Sequence, residues 1–415
     1  MTHIAVLGAG ITGVTTAYAL ALRGYQVTVF DRHRYPAMET SFANGGQLSA
    51  CNAEVWNNTS TILKGLKWMM RRDAPLLVNP KPSWRKYSWM AQFIRHIPDY
   101  RANTIKTAQL AIAAREHLFR IAETENIDFN LERRGILHIF HNAEDFADAR
   151  KVNTLLTEAG LERNPVTSDE IRSIEPTLTG TYYGGFYTPS DSTGDIHLFT
   201  RGLAEACEKR GVSFEYDAQV SAITPNDQGV RIDWHDATAE AGTIPEGHTL
   251  QADGVVVCAG VGSRQFARSL GDRVNIYPVK GYSITVHMDD EASQANAPWV
   301  SLLDEDAKIV TARLGKDRLR VAGTAEYNGE NRDIRNDRIE PLVRWTRRHF
   351  DVDMRRVVPW TGLRPMMPDM MPRVGRGKRS GVYYNTGHGH LGWTLAPITA
   401  ETVVGAIGED MPVPA

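Results

Sequence analysis

The first thirty-one residues constrain the fold more tightly than any other stretch. Ile4 to Leu7 is a short apolar run with β-branched residues, the pattern of a buried strand. Gly8, Gly10 and Gly13 follow as G-x-G-x-x-G around Ala9, Ile11 and Thr12, and alanine and leucine then recur at helical spacing to Leu22. Gly24 ends that helix, and Val27 to Phe30 is a second strand closed by Asp31. This is a βαβ unit with its glycines at the first turn. Gly8 permits the tight turn, Gly10 lets a pyrophosphate approach the backbone, and Gly13 lets helix and strand pack closely. Phosphates then meet free N–H groups at a helix N-terminus. Asp31 stands where an acid accepts hydrogen bonds from ribose hydroxyls. The unit predicts a dinucleotide-binding fold and does not by itself separate NAD from FAD.

A chain of 415 residues is long for one core, so two domains are expected. The net charge of −2 carries no field that would draw nucleic acid, and none is expected as a partner. Cys51, Cys207 and Cys258 are far apart and in no metal-ligand spacing, which fits a reducing compartment without disulfides. No apolar run reaches the ~18–20 residues of a membrane span. The first strand begins too early for a cleavable leader, and a cytoplasmic location is the expectation.

Helices are expected at Ala108 to Glu125, Ala143 to Ala159, His197 to Lys209 and Arg338 to Phe350. Gly184 to Asp195 is dense in turn residues and reads as a loop. Ala252 to Gly260 is a buried parallel-type strand. It leaves Ala259 and Gly260 at the carboxyl edge of the sheet, where ligands of open α/β sheets bind. Tyr277 to Met288, Trp299 to Leu303, Ala307 to Leu314 and Leu319 to Gly323 form an antiparallel block. Tyr383 to Thr386 returns to a strand, before a last helix to about Ile407. The resulting fold class is α/β plus antiparallel β. A Rossmann-like dinucleotide domain (1–60, 165–275 and 360–415) accompanies a second domain (61–164 and 276–359) built on an antiparallel sheet with helices.

Residues 61–106 hold ten Lys or Arg against two acids, with Trp68, Met69, Met70, Trp84, Trp89, Met90 and Phe93 among them. Two readings fit. One is a surface that rests on an anionic membrane. The other is a helical arm whose aromatic residues are core and whose charges face water.

The chemistry concentrates at two further glycine-rich stretches. Asn44-Gly-Gly-Gln47 suggests backbone laid close against a ligand, or an ordinary loop. Gly387, Gly389 and Gly392 stand just before the last helix. A second helix N-terminus suits the delocalised negative charge of a reduced flavin ring, for which an NAD enzyme has no use. With these stretches in view, the sequence resembles the D-amino-acid oxidase-type FAD oxidoreductases, and within them the branch of D-amino acid dehydrogenase small subunits. The marks are Glu39-Thr-Ser-Phe-Ala-Asn-Gly-Gly-Gln47, Leu66-Lys-Trp-Met69, Gly194-Asp195 with Leu198-Phe-Thr200, and Tyr277-Pro-Val-Lys-Gly-Tyr-Ser283. To these are added Trp360-Thr-Gly-Leu-Arg-Pro365, Pro368-Asp369 and Asn385-Thr-Gly-His-Gly-His-Leu-Gly-Trp-Thr394. The sequence ends sooner after its last helix than that branch does, which leaves a narrower or different substrate open.

The resemblance implies a glutathione-reductase-type FAD domain. The adenosine diphosphate half would lie on Gly8, Ala9, Gly10, Ile11, Thr12, Gly13, Asp31 and Arg32. Ser41, Asn44, Gly45, Gly46, Gln47 and Leu48 would flank the pyrophosphate and flavin. Val220 would meet the adenine, and Gly260 would line the back of the site. Gly389, His390, Leu391, Gly392, Trp393 and Thr394 would hold the pyrimidine edge. Arg364 is the candidate for the substrate carboxylate, since a permanently charged guanidinium fork matches a carboxylate bidentately. Lys280 and Tyr282 sit at i and i+2 of one strand and share a face. They would clamp the carboxylate, shape the pocket, or serve the structure alone. His388 and His390 read either as a general base or as backbone-positioning residues.

The activity implied is oxidative deamination of D-amino acids to 2-oxo acids and ammonia, by hydride transfer to flavin N5. Electrons would pass to a quinone or electron carrier rather than oxygen, with peripheral contact at the inner face of the cytoplasmic membrane. Some oxidases of the family keep a lysine over the flavin, and the matching position is read as apolar Val321. No cysteine follows Cys258, so a covalent flavin link through a C-terminal cysteine is excluded. The alternatives are a dehydrogenase specialised for D-proline or cis-4-hydroxy-D-proline, an oxygen-using FAD oxidase of secondary amines or glycine, and a flavin-bearing subunit that needs a partner for turnover.

Overall fold

Alternating side chains of one strand organise the first half of the molecule. In the computed structural model, which describes residues 1–68, 75–239 and 246–413, His3–Leu7 is the inner strand of a six-stranded sheet. The order is Arg373–Arg376, Val382–Thr386, Gly254–Val257, His3–Leu7, Gln26–Phe30 and Ser213–Glu215. All neighbours are parallel except the first pair. Ile4 and Val6 point to one face, into a core shared with the helices Ile11–Leu22, Ile196–Lys209 and Gly392–Asp410. Ala5 and Leu7 point to the other, against an antiparallel three-stranded sheet of Ala218–Asn226, Gly229–Asp236 and Gly247–Ala252. Covering both faces explains why the parallel strands read as unbroken apolar runs.

The second half is a nine-stranded sheet. Its order is Val357–Met366, Tyr277–His287, Arg318–Tyr327, Ile309–Arg313, Ser301–Asp304, Ile136–Phe140, Gly184–Thr188 and Asn164–Val166, with Leu76–Val78 pairing alongside Arg318–Tyr327. The four strands expected between 276 and 327 are all present. Arg318–Tyr327 runs four residues further than Gly323.

Three readings are corrected. Gly184 to Asp195 is not a plain loop: Gly184–Thr188 is a strand, and Ser192–Thr193 pairs with Gln47–Leu48. Its glycines serve close packing rather than turning, since a Cβ at Gly185 would stand 2.6 Å from the His138 carbonyl oxygen. The helix expected from Ala108 begins earlier, at Tyr100. Sheet membership also departs from the sequence division. Asn164–Val166, Gly184–Thr188 and Val357–Met366 belong to the nine-stranded sheet rather than to the dinucleotide segments 165–275 and 360–415. These strands pair across long separations that local pattern does not carry.

The basic, aromatic stretch folds as the helices Thr59–Trp68 and Trp84–Arg95 around the strand Leu76–Val78. Met69, Met70, Arg71, Arg72 and Asp73 lie outside the described residues. Trp89 is buried and donates Nε1–H to the Met366 carbonyl, whereas Trp84, Tyr87, Ile94 and Leu63 are exposed. Among the described residues no helix is long and apolar enough to cross a membrane.

Candidate active site

A cavity of about 1860 Å³ runs between the two sheets. That exceeds the ~300–1,000 Å³ of an ordinary small-molecule site, and leaves room for an extended cofactor and a substrate together.

One end is the glycine turn. Gly8 has φ +105°, and a Cβ there would lie 2.8 Å from the Cys258 carbonyl oxygen. A Cβ on Gly13 would lie 1.7 Å from the Gly8 carbonyl oxygen. Gly10 is the extended N-cap of Ile11–Leu22, and the Ile11 N–H donates to Ser41 Oγ at 3.1 Å. Asp31 accepts from the Ala9 N–H at 2.6 Å and the His33 N–H at 2.9 Å, and burial raises its pKa. At the rim, Glu39 binds Arg32, His33 and Arg332. Burial opposes its ionisation, yet these three partners hold the carboxyl down to about 2.

The middle is the 44–48 strap. The Gly46 N–H donates to Asn44 Oδ1 at 2.9 Å, and Gln47 Nε2 donates to Ser301 Oγ at 2.8 Å. This fixes the strap against the second sheet. Val310 and Ala322 line the cavity beside Gly45. Val321 does not: it is fully buried on the opposite face, because neighbours in a strand alternate. The position facing the strap is therefore Ala322, also apolar.

The C-terminal glycine turn closes the far wall. The Gly389 N–H donates to the Pro365 carbonyl at 3.1 Å. His388 lies against Thr399 Oγ1 at 2.9 Å, and burial pushes its pKa down to about 3. His390 stacks on Trp56 with ring centroids 4.9 Å apart, and burial lowers it to about 4. It is neutral at pH 7. Its Nε2 lies 3.0 Å from the Asn52 carbonyl, so Nε2 carries the proton and Nδ1 is an acceptor. Among the described residues, Nδ1 and the Trp393 Nε1–H have no partner although both are buried. An acceptor and a donor left unpaired in a cavity wall fit a polar ligand edge.

Arg364 stands in the wall of the same cavity. Its guanidinium lies over Gly281, where a Cβ would be 2.4 Å away, and Nη1–H donates to the Thr324 carbonyl at 3.0 Å. Thr324 is at a register shift between Tyr277–His287 and Arg318–Tyr327, with φ +62°. A β-branched residue in that region is strained, and here the strain belongs to a bulge that turns its carbonyl toward Arg364. Arg364 forms no ion pair among the described residues, and burial lowers its pKa to about 10.

The cavity wall includes Gly8, Gly10, Ile11, Thr12, Asp31, Arg32, Ser41, Asn44, Gly45, Gln47, Val220, Ala259, Gly260, Tyr282, Arg364, Gly389, His390, Gly392 and Trp393. Ala9, Gly13, Gly46, Leu48, Leu391 and Thr394 stand behind it; Thr394 Oγ1 accepts the Ser49 N–H, and Leu48 and Leu391 are core. Lys280 lies outside that wall, in the structural role that the sequence left open. It is fully buried, donating to Asn331 Oδ1 at 2.7 Å and lying 3.5 Å from Glu326. Tyr282 spends its hydroxyl on Glu326 Oε2 at 2.7 Å. The two do share a face, but Arg364 lies over the opposite one, at Gly281. Missed by sequence were Asn52, Glu54 and Trp56, which line the cavity from an irregular segment without periodic pattern.

A family described as FAD dependent oxidoreductase matches residues 3–406. The chain is 61% identical to "D-amino acid dehydrogenase 3" of Mesorhizobium japonicum, over 100% of this chain and 99% of the relative. It is 39% identical to a D-amino acid dehydrogenase of Paramagnetospirillum magneticum, over 95% and 92%. Among solved structures it is similar to a glycine oxidase from Geobacillus kaustophilus, with TM-score 0.74, 19% identity, and 100% and 96% coverage. An L-proline dehydrogenase from P. horikoshii also gives TM-score 0.74, at 14% identity and 100% and 95% coverage. At those identities the likeness speaks for the fold.

Proposed function

The chain belongs to the FAD dependent oxidoreductase family, and from that premise we propose that it oxidises D-amino acids to 2-oxo acids and ammonia, with Arg364 as the carboxylate anchor. The observation that carries this reading is a guanidinium without an acidic partner among the described residues, in the wall of the cavity that also holds the G-x-G-x-x-G turn. The D-amino acid comes from the names of the relatives.

The residues present fit the cofactor. The first glycine turn, Asp31 and Ser41 would hold its adenosine diphosphate half. The unpaired Trp393 Nε1–H and His390 Nδ1 would meet its polar ring edge. Bound FAD supplies the hydride acceptor. Arg364 fixes the substrate by two parallel charge-assisted bonds, which orients the α-carbon and removes rotational freedom. His388 and His390 are neutral and add no competing charge. The α-hydrogen leaves with its electron pair, and water hydrolyses the resulting imine. The six-stranded body serves the cofactor and the nine-stranded body the substrate.

The same proposal sends the electrons to a quinone or electron carrier. The relatives' dehydrogenase names and the apolar Val310 and Ala322 beside the strap support this. Exposed Trp84, Tyr87 and Ile94, on a helix with Arg85 and Arg95, support peripheral contact with an anionic membrane face. The chain spans nearly the whole length of these relatives, which carry the D-amino acid dehydrogenase name.

The test is an anaerobic flavin spectrum with D- and L-amino acids in turn. Bleaching by D-amino acids, slow recovery in air and fast recovery with a quinone analogue are expected. Bleaching by L-amino acids alone overturns the substrate, and fast recovery in air overturns the acceptor.

A further inference from the structure

The cavity that Arg364 lines also has apolar wall residues. Leu76, Val78, Met90, Phe93, Tyr327 and Trp56 line it. Such walls suit the methylenes of a long side chain. One group in this lining does not match them. Glu54 places its carboxyl in the cavity wall, where Oε1 accepts the Tyr100 O–H at 2.6 Å and lies 3.4 Å from Asn58 Nδ2. Among the described residues Oε2 accepts nothing, and no Lys, Arg or His forms an ion pair with Glu54. Burial accordingly raises its pKa. Lys308 and Arg163 act on it without forming an ion pair, and a carboxyl removed from water with no ion pair of its own gains from an incoming cation.

Its position relative to Arg364 follows from the segment that carries it. The Asn52 carbonyl accepts His390 Nε2–H, and Trp56 stacks on the same imidazole. Glu54 lies between these two contacts in the chain. The segment that carries Glu54 is thus tied to the His390 wall of the cavity that Arg364 also lines.

Resting on the reading of Arg364 as the carboxylate anchor, we infer that Glu54 is a subsite for the cationic end of the substrate's side chain, so that the preferred class is D-amino acids with a long, positively charged side chain. An unpaired guanidinium and an unpaired carboxyl in the wall of one cavity complement a molecule with opposite charges at its two ends. The apolar residues of the same wall match the methylenes of lysine or arginine.

Two comparisons test this on the FAD-loaded protein. The first is binding, by calorimetry, of 6-aminohexanoate against hexanoate. Neither carries an α-amine, so the result does not depend on turnover. Aminohexanoate is expected to bind ~10- to ~100-fold more tightly, the range of a charge-assisted hydrogen bond, and Glu54→Gln to erase the difference while leaving hexanoate unchanged. Equal binding in the native protein, or a preference that survives Glu54→Gln, overturns the subsite. The second is kcat/KM for D-lysine against D-norleucine. A preference for D-lysine lost in Glu54→Gln supports the subsite, with D-norleucine turnover showing that the variant is folded. D-norleucine turned over as well as D-lysine overturns it. If no D-amino acid reduces the flavin while aminohexanoate still binds selectively, the proposed reaction fails and the subsite stands.

Discussion

At the Gly8 end of the cavity, Gly8, Gly10, Gly13 and Asp31 lie close together in the chain and present mainly backbone. At the Arg364 end, the wall is made of side chains from the separate segments 52–56, 76–93, 281, 324–327 and 364. The first end is an anion cradle that any chain with this turn forms. The second depends on a nine-stranded sheet being completed before Arg364 has Gly281 beneath it and the Thr324 carbonyl beside it. On the proposed reading, recognition of a shared cofactor rests on local geometry, while recognition of a particular substrate rests on long-range assembly.

The largest expected effect breaks the local end. Gly13→Ala places a Cβ against the Gly8 carbonyl, at 1.7 Å in the native backbone. The loss is expected to be ~3 kcal/mol or more, at or above the upper end of overpacking costs, with protein that purifies without bound flavin. Absorbance near the flavin bands and a thermal melt measure both. A yellow variant of native stability would show that the turn is not closely packed.

A smaller effect separates the two faces of the Tyr277–His287 strand. Lys280→Met removes a buried ammonium from Asn331, Asp333 and Glu326. About 2 kcal/mol of stability is expected to go, with the substrate KM unchanged. A raised KM at native stability would return Lys280 to the substrate site.

How far each end was legible follows from the same contrast. The βαβ unit, the antiparallel block and the second glycine turn show in the sequence because each is local or periodic. The face of a strand is also local, and Lys280 with Tyr282 was placed together on that basis. Which side chains of the strand meet the Arg364 guanidinium was not, because that depends on Arg364 crossing over Gly281 from a neighbouring strand. The same gap misplaced Val321 by one residue relative to Ala322. Glu54 and Trp56 had no signal at all: they sit in an irregular stretch, and their partners Tyr100 and His390 are far along the chain. The Gly184–Thr188 strand was hidden because its glycines, there for close packing, are also turn residues.

The smallest effect concerns the histidines of the C-terminal turn. Burial holds His388 at about 3, below the ordinary 6.5. A base whose folded pKa is lowered adds stability that is present above pH 6.5 and is lost as pH falls toward about 3, since the unfolded chain binds the proton first. Unfolding followed between pH 7 and pH 4 is expected to show a slope to which His388 adds at most ~1.4 kcal/mol per pH unit, and His388→Gln to lower it by that share while the share of His390 remains. An unchanged slope in the variant would assign the acid sensitivity to other groups.

The central claim is that Arg364 holds the substrate carboxylate while the cofactor depends on the other end of the cavity. Steady-state kinetics of Arg364→Ala with a D-amino acid, alongside its flavin content, test this most directly. The account predicts full FAD occupancy and a kcat/KM lower by ~100-fold or more, from a loss of ~3 kcal/mol at a desolvated charge pair, carried mainly by KM. Native KM with native flavin content would remove Arg364 from the substrate site and contradict the account.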